Sequence, residues 1–127
     1  MIVGLGTDLV DVHRFGRVMD RHGESFLESL FSPSEIRACR VRRGREQLAA
    51  RFAAREAMLK ALGTGLVGGM SWKDMVVVAG AVPGVYSLEL RGGVLETTRR
   101  LNVRRVHLAI TTTCSLAAAT VVLEDAE

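Results

Sequence analysis

The chain has 127 residues, enough for one domain spanning residues 1–127 with one modest core. Hydrophobic residues make up 48 % and aromatic residues 5 %, which excludes a disordered chain and leaves Val, Leu and Ala to fill the interior. The net charge of +3 comes mostly from arginine. That suits a partner carrying phosphate or carboxylate, whereas arginines scattered without a set of stacking aromatics argue against nucleic acid.

In chain order, residues 2 to 7 read as a short buried strand, with Gly4 and Gly6 letting another backbone come close. Asp8 ends that run, and a carboxylate there needs a partner. Residues 11 to 22 have helical spacing, with Val12, Phe15, Val18 and Met19 on one face and Arg14, Arg17 and Arg21 on another. Gly23 is the expected stop. Phe26, Leu27, Leu30 and Phe31 form a second small amphipathic turn. Ser32-Pro33-Ser34-Glu35 is a helix start with a capping box, and the helix should run to about residue 42. Arg40, Arg42, Arg43 and Arg45 around Gly44 read as a basic loop.

The longest helix is expected over residues 46 to 62, Ala-rich, and ended by Gly63-Thr64-Gly65. Two strands follow at 74 to 79 and 85 to 90, around the turn Val82-Pro83-Gly84. A helix over 94 to 101 comes next. Strands over 107 to 110 and 116 to 123 are joined by a hairpin at Thr111 to Ser115. The fold class is α+β: a small antiparallel sheet, a long Ala-rich helix, and helices inserted after the first strand. Cys39 and Cys114 form no CxxC, which fits a reduced compartment better than a disulfide scaffold. The N-terminus lacks a basic region before its short apolar run, so no signal peptide or membrane span is expected and a cytoplasmic location is.

Two carboxylates carry the chemical interest. Asp8 follows a strand and Glu56 sits in mid-helix. Brought together they repel unless a cation joins them, and magnesium suits such hard oxygen ligands together with water and substrate phosphate. Asp8 could equally cap the next helix, and Glu56 could pair with Arg51, Arg55 or Lys60. Lys60 lies one turn after Glu56 on the same face, where it either forms an ordinary i, i+4 pair or stands beside a bound phosphate. The Gly63-Thr64-Gly65 turn either caps the helix or offers N–H groups to that phosphate.

The segments Gly4-Leu-Gly-Thr-Asp8 and Phe52-Ala-Ala-Arg-Glu56-Ala-Met-Leu-Lys60-Ala-Leu-Gly-Thr-Gly65 resemble those of the holo-acyl-carrier-protein synthases, with Arg55 where that family usually has Lys. The likeness in length and element order covers nearly the whole chain. It implies a 4'-phosphopantetheinyl transferase-like fold and transfer of the phosphopantetheine arm of coenzyme A to an acyl carrier protein, or to a polyketide or peptide carrier domain. It implies Asp8 and Glu56 as magnesium ligands and catalytic residues, with Lys60 near the phosphates. Arg51, Lys60, Gly63, Thr64, Gly65, Thr111 and Thr112 fall on the coenzyme A site. Arg14, Arg17 and Arg21 fall on the carrier-docking helix. The family implies a homotrimer with active sites between subunits, and neither membrane nor nucleic acid as partner.

Three positions depart from the family pattern. Ala109 replaces a serine, Thr112 a histidine, and Gly84-Val85-Tyr86 stands where the pattern has Gly-x-Pro. Ala109 and Thr112 motivate a second reading, a carrier-binding homologue impaired in catalysis.

Overall fold

The computed structural model describes residues 1–41 and 43–126. Its spine is the pairing of the first and last strands. β1 (Ile2–Asp11) runs antiparallel to β5 (Leu116–Asp125), with Asp8 opposite Ala119. β5 pairs in turn with β4 (Val103–Thr112), and β3 (Tyr86–Leu90) and β2 (Met75–Ala79) complete an antiparallel sheet in the order β1-β5-β4-β3-β2. β1 continues through Asp8 for three more residues. The carboxylate does not end the strand, because Asp8 projects from a half-covered face and keeps its backbone in the ladder.

Between β1 and β2 the chain builds three helices: α1 (Val12–Leu30), α2 (Pro33–Ala38) and α3 (Gly44–Leu62). Gly23 breaks the helical geometry of α1 (φ 72°, ψ −160°) but acts as a kink rather than a stop, so Phe26, Leu27 and Leu30 belong to the same helix. The helix starting at Ser32 has the capping box expected, yet ends at Ala38 rather than near 42. The chain folds back there, and a Cβ at Gly44 would collide with the carbonyl oxygen of Cys39. Gly44 and Arg45 lie in α3 rather than in a basic loop; Arg42 lies outside the described residues. α4 (Gly92–Arg100) joins β3 to β4.

α3 lies across one face of the sheet. Its alanines at 53, 54, 57 and 61, with Met58, Leu59 and Leu62, pack on Ala119, Val121, Leu123, Met75, Val77 and Val94. Its first half, through Leu48, Ala49 and Ala50, packs on Val12, Phe15 and Leu30 of α1, on Phe31 just after it, and on Ile36 of α2. The other face of the sheet is open, with Val3, Leu5 and Leu9 of β1 exposed.

One ion pair joins these layers. Glu35, on α2, is buried and accepts from both terminal nitrogens of Arg55 on α3. It also accepts from the backbone N–H of Ser32 (3.0 Å) and of Val77 in β2 (3.0 Å). Arg55 in turn donates from Nε to the Trp72 carbonyl and lies over the Phe31 ring. Burial pushes the Glu35 carboxyl up, but the hydrogen bonds and charge of Arg55, with the Ser32 and Val77 amides, outweigh it and hold the group below its ordinary value. Removing one partner of such a pair leaves a buried charge, so Glu35→Ala should lose about 3–5 kcal/mol in urea unfolding. Because the folded-state value is depressed, the stabilisation is complete above the ordinary carboxylate range and disappears as pH falls below it. Glu35→Gln should flatten that acid limb of the stability profile.

Candidate active site

Side chains alternate along β1, so Gly4, Gly6 and Asp8 all face α3. A Cβ at Gly6 would collide with the carbonyl oxygen of Ala57, and one at Gly4 with that of Ala61. The strand backbone therefore lies directly against the helix, and Asp8, two residues on, arrives beside the stripe that carries Glu56 and Lys60. The Lys60 side chain, leaning towards the helix N-terminus, donates from Nζ to Asp8 Oδ1 at 2.8 Å and to the Thr7 carbonyl at 3.2 Å. The following cap belongs to Asp11, whose carboxylate accepts from the N–H of Arg14 at 2.9 Å. Asp8 is thereby left to the site.

Asp8, Glu56 and Lys60 line one cleft of about 580 Å³ between β1, α1 and α3. Val10, Phe15, Val18, Phe26 and Phe52 form its apolar wall, and Arg14 stands at its rim. Glu56 makes no ion pair with Arg51 or Arg55. Burial first, and then the negative charge of Asp8, push its carboxyl up against the opposing effect of Lys60. The hydrogen bond to Asp8 raises Lys60, so it is held as an ammonium. Among the described residues no group of three or more metal-binding side chains is gathered. The donor set of two carboxylates in one polar-lipped cleft fits magnesium, which takes few protein ligands and fills its remaining positions with water and phosphate oxygens.

The other residues singled out in the sequence do not all come to this cleft. Arg17 and Arg21 are exposed along α1 with Arg14, and none of the three is in an ion pair among the described residues. Gly63 ends α3 in a left-handed conformation and spends its own N–H on the Leu59 and Lys60 carbonyls, so only Thr64 and Gly65 remain to offer amides. Thr111 and Thr112, being consecutive in β4, point to opposite faces: Thr111 lies on the open face in line with Ala118 and Leu9, and Thr112 on the α3 side. Ala109 lies on the open face with Thr120 and Thr7. Arg51 leaves α3 about 140° around the axis from Glu56 and is buried on the far side, near α2 and β2. The phenylalanines of the cleft wall have no sequence signal separating them from core; only the α1–α3 packing identifies them.

The chain matches the model of the 4'-phosphopantetheinyl transferase superfamily over residues 4–117. It is 41 % identical to a holo-[acyl-carrier-protein] synthase of Koribacter versatilis (strain Ellin345), over 98 % of this chain and all of that one. Its fold superposes on the crystal structure of the Neisseria meningitidis holo-[acyl-carrier-protein] synthase with a TM-score of 0.87 and 31 % identity, covering 98 % of this chain and 100 % of that one. The Bacillus anthracis str. Ames synthase in complex with CoA (3',5'-ADP) gives 0.80 and 31 % over 99 % of both chains. The chain therefore belongs to the 4'-phosphopantetheinyl transferase superfamily, within its holo-acyl-carrier-protein synthase family, and it is a transferase of that kind.

The Lys60–Asp8 pair lies at the cleft mouth, with Lys60 half exposed. Such a pair contributes at most about 1 kcal/mol to folding. Lys60→Met should therefore shift the urea midpoint little, in contrast to Glu35→Ala, and any larger loss of activity would be chemical in origin.

Proposed function

We propose that this chain transfers the 4'-phosphopantetheine arm of coenzyme A to a serine of an apo acyl carrier protein. In that reaction the serine oxygen bonds to the β-phosphorus of coenzyme A while the bond from that phosphorus to the bridging oxygen breaks. Adenosine 3',5'-bisphosphate leaves, and the serine proton passes to solvent. The convergence of Asp8, Glu56 and Lys60 in one cleft, in a member of this transferase family, carries the reading. The Bacillus anthracis relative, bound to CoA (3',5'-ADP), supports the co-substrate and the nucleotide product.

Asp8 and Glu56 would hold magnesium, which when bound supplies charge neutralisation at the pyrophosphate. Lys60, already beside Asp8, turns its ammonium to the phosphate and stabilises charge that builds as the bond breaks. The Thr64 and Gly65 amides add donors at the end of the same helix. The exposed guanidinium groups of Arg14, Arg17 and Arg21 receive the acidic surface of the carrier, and Arg14 directs it to the cleft.

Lys60 and Arg51 leave α3 on different sides, about 180° apart around its axis, which favours a coenzyme A site shared between two chains. A second copy is the proposed source of the other half, and the exposed Val3, Leu5 and Leu9 give the open sheet face an apolar surface that an assembly would bury. We place the active site between subunits of a homotrimer on these grounds. Asp8 and Glu56 themselves come from the same chain. No described helix is long and apolar enough to cross a membrane. The two free cysteines agree with a cytoplasmic location.

The first test is the mass of an apo acyl carrier protein after incubation with the enzyme, coenzyme A and magnesium. A gain of one phosphopantetheine is expected, with the rate falling at least about a hundredfold in Asp8→Ala and Glu56→Ala. Carrier binding without any mass gain would favour the impaired homologue suggested by Ala109 and Thr112. Leu5→Arg, on the open sheet face, should convert the assembly to single chains in sedimentation and take transfer with it.

A further inference from the structure

Arg51 is 6 % exposed, yet its hydrogen bonding is incomplete. Nη1 donates to the carbonyl oxygen of Gln47 (3.3 Å) and to its side-chain oxygen (3.1 Å). The buried Nε has no partner among the described residues. An unmatched guanidinium donor away from water is costly, and native proteins keep few of them. The side chain lines a cavity of about 210 Å³ with Ser34, Ala38 and the edge strand at Val77, Val78 and Ala79. Glu35, also on the wall, is committed to Arg55 and to the Ser32 and Val77 amides. The Arg51 charge is thus available to an anion entering from outside the chain.

Besides the Gln47 oxygens, an aromatic ring holds that guanidinium in place. The Arg51 guanidinium carbon lies 5.7 Å from the centroid of the Tyr86 ring, inside the cation–π range of about 6 Å. Tyr86 opens β3 and is pinned on both sides, opposite Ala79 of β2 and Leu108 of β4. Its hydroxyl makes no hydrogen bond among the described residues, so the face of the ring is the part that acts. By the resemblance, Tyr86 stands where the family pattern has proline.

We propose that Tyr86 is a positioning residue for coenzyme A: its ring fixes the Arg51 guanidinium as a preorganised anion site for a phosphate of the co-substrate. This rests on the transferase reading and on Arg51 as a coenzyme A contact. It predicts an effect on co-substrate affinity and not on the chemical step, because Tyr86 lies away from Asp8, Glu56 and Lys60.

The test is calorimetric binding of coenzyme A to the intact assembly, run beside transfer kinetics. Tyr86→Leu should weaken the dissociation constant and KM for coenzyme A by about threefold to thirtyfold, with kcat kept. Tyr86→Phe should restore both. In an Arg51→Gln background Tyr86→Leu should add nothing, since the ring acts through the guanidinium. An affinity change below threefold in Tyr86→Leu, with the wild type binding and transferring, overturns the inference alone. So does a full additional loss in the Arg51→Gln background. Should Tyr86→Leu fail to fold, Tyr86→Phe still decides the matter: a loss there of threefold or more would assign the effect to the hydroxyl and overturn the ring-face account. A wild type that neither binds coenzyme A nor transfers removes the transferase reading, and this inference with it.

Discussion

The fold depends on the direct approach of β1 to α3. Gly4 and Gly6 leave no side chain between the strand and the carbonyl oxygens of Ala61 and Ala57. A larger residue at either point would lever the strand off the helix. The same two contacts fix where Asp8 lies, because residues 4, 6 and 8 share a face and residues 57 and 61 run beside 56 and 60. A packing rule and a chemical requirement are thus met by one piece of geometry. The glycines bring the backbone close, and that closeness delivers a carboxylate to a carboxylate and a lysine. β1 is further held by its long antiparallel pairing with β5, so Asp8 sits on a strand with little freedom to adjust.

The second constraint is the Glu35–Arg55 pair. It lies on the interior side of α3 and joins α2, α3 and β2 through fully buried groups. Burying two charges costs free energy that good geometry must offset, and here each side chain has several partners: two amides for the carboxylate, a carbonyl and an aromatic face for the guanidinium. The pair sets the rotation of α3 about its axis. Glu56 follows Arg55 by one residue, about 100° around the helix. Anchoring Arg55 against α2 therefore turns Glu56 towards β1.

Much of this was legible in the sequence because the signals were local. The capping box at Ser32 and Glu35, the glycine end of α3, and the shared parity of Gly4, Gly6 and Asp8 each depend on neighbours a few residues away. The extent of β1 was not, since a polar Asp8 looks like an ending unless its partner Lys60, 52 positions later, is known. Gly23 has the backbone of a helix stop, but packing of Phe26 and Leu27 on the α1–α2 core resumes the helix. Arg55 and Glu35 each have a local explanation in the sequence, as a substituted family position and as a capping residue. Their pairing spans 20 positions, and no periodicity announces it. The convergence of Asp8 with Glu56 and Lys60 could be expected only through family resemblance, because spacing alone allowed several pairings.

The distribution of charge around α3 bears on how the enzyme works. Three consecutive requirements fall on three directions of one helix: Arg51 towards the β2 edge, Arg55 into the interior, Glu56 and Lys60 into the cleft. From Leu48 to Leu62 its other positions are alanine, leucine, Met58 and Phe52. Among the described residues the cleft and the Arg51 cavity lie on different sides of α3. On the proposed reading they are two half-sites for one extended co-substrate. An open apolar sheet face beside them is the surface through which copies would join the halves. On that proposal assembly becomes part of the chemistry. In the proposed assembly the cleft would supply charge to the breaking phosphate bond, and the neighbouring copy would supply a fixed guanidinium to a more distant phosphate.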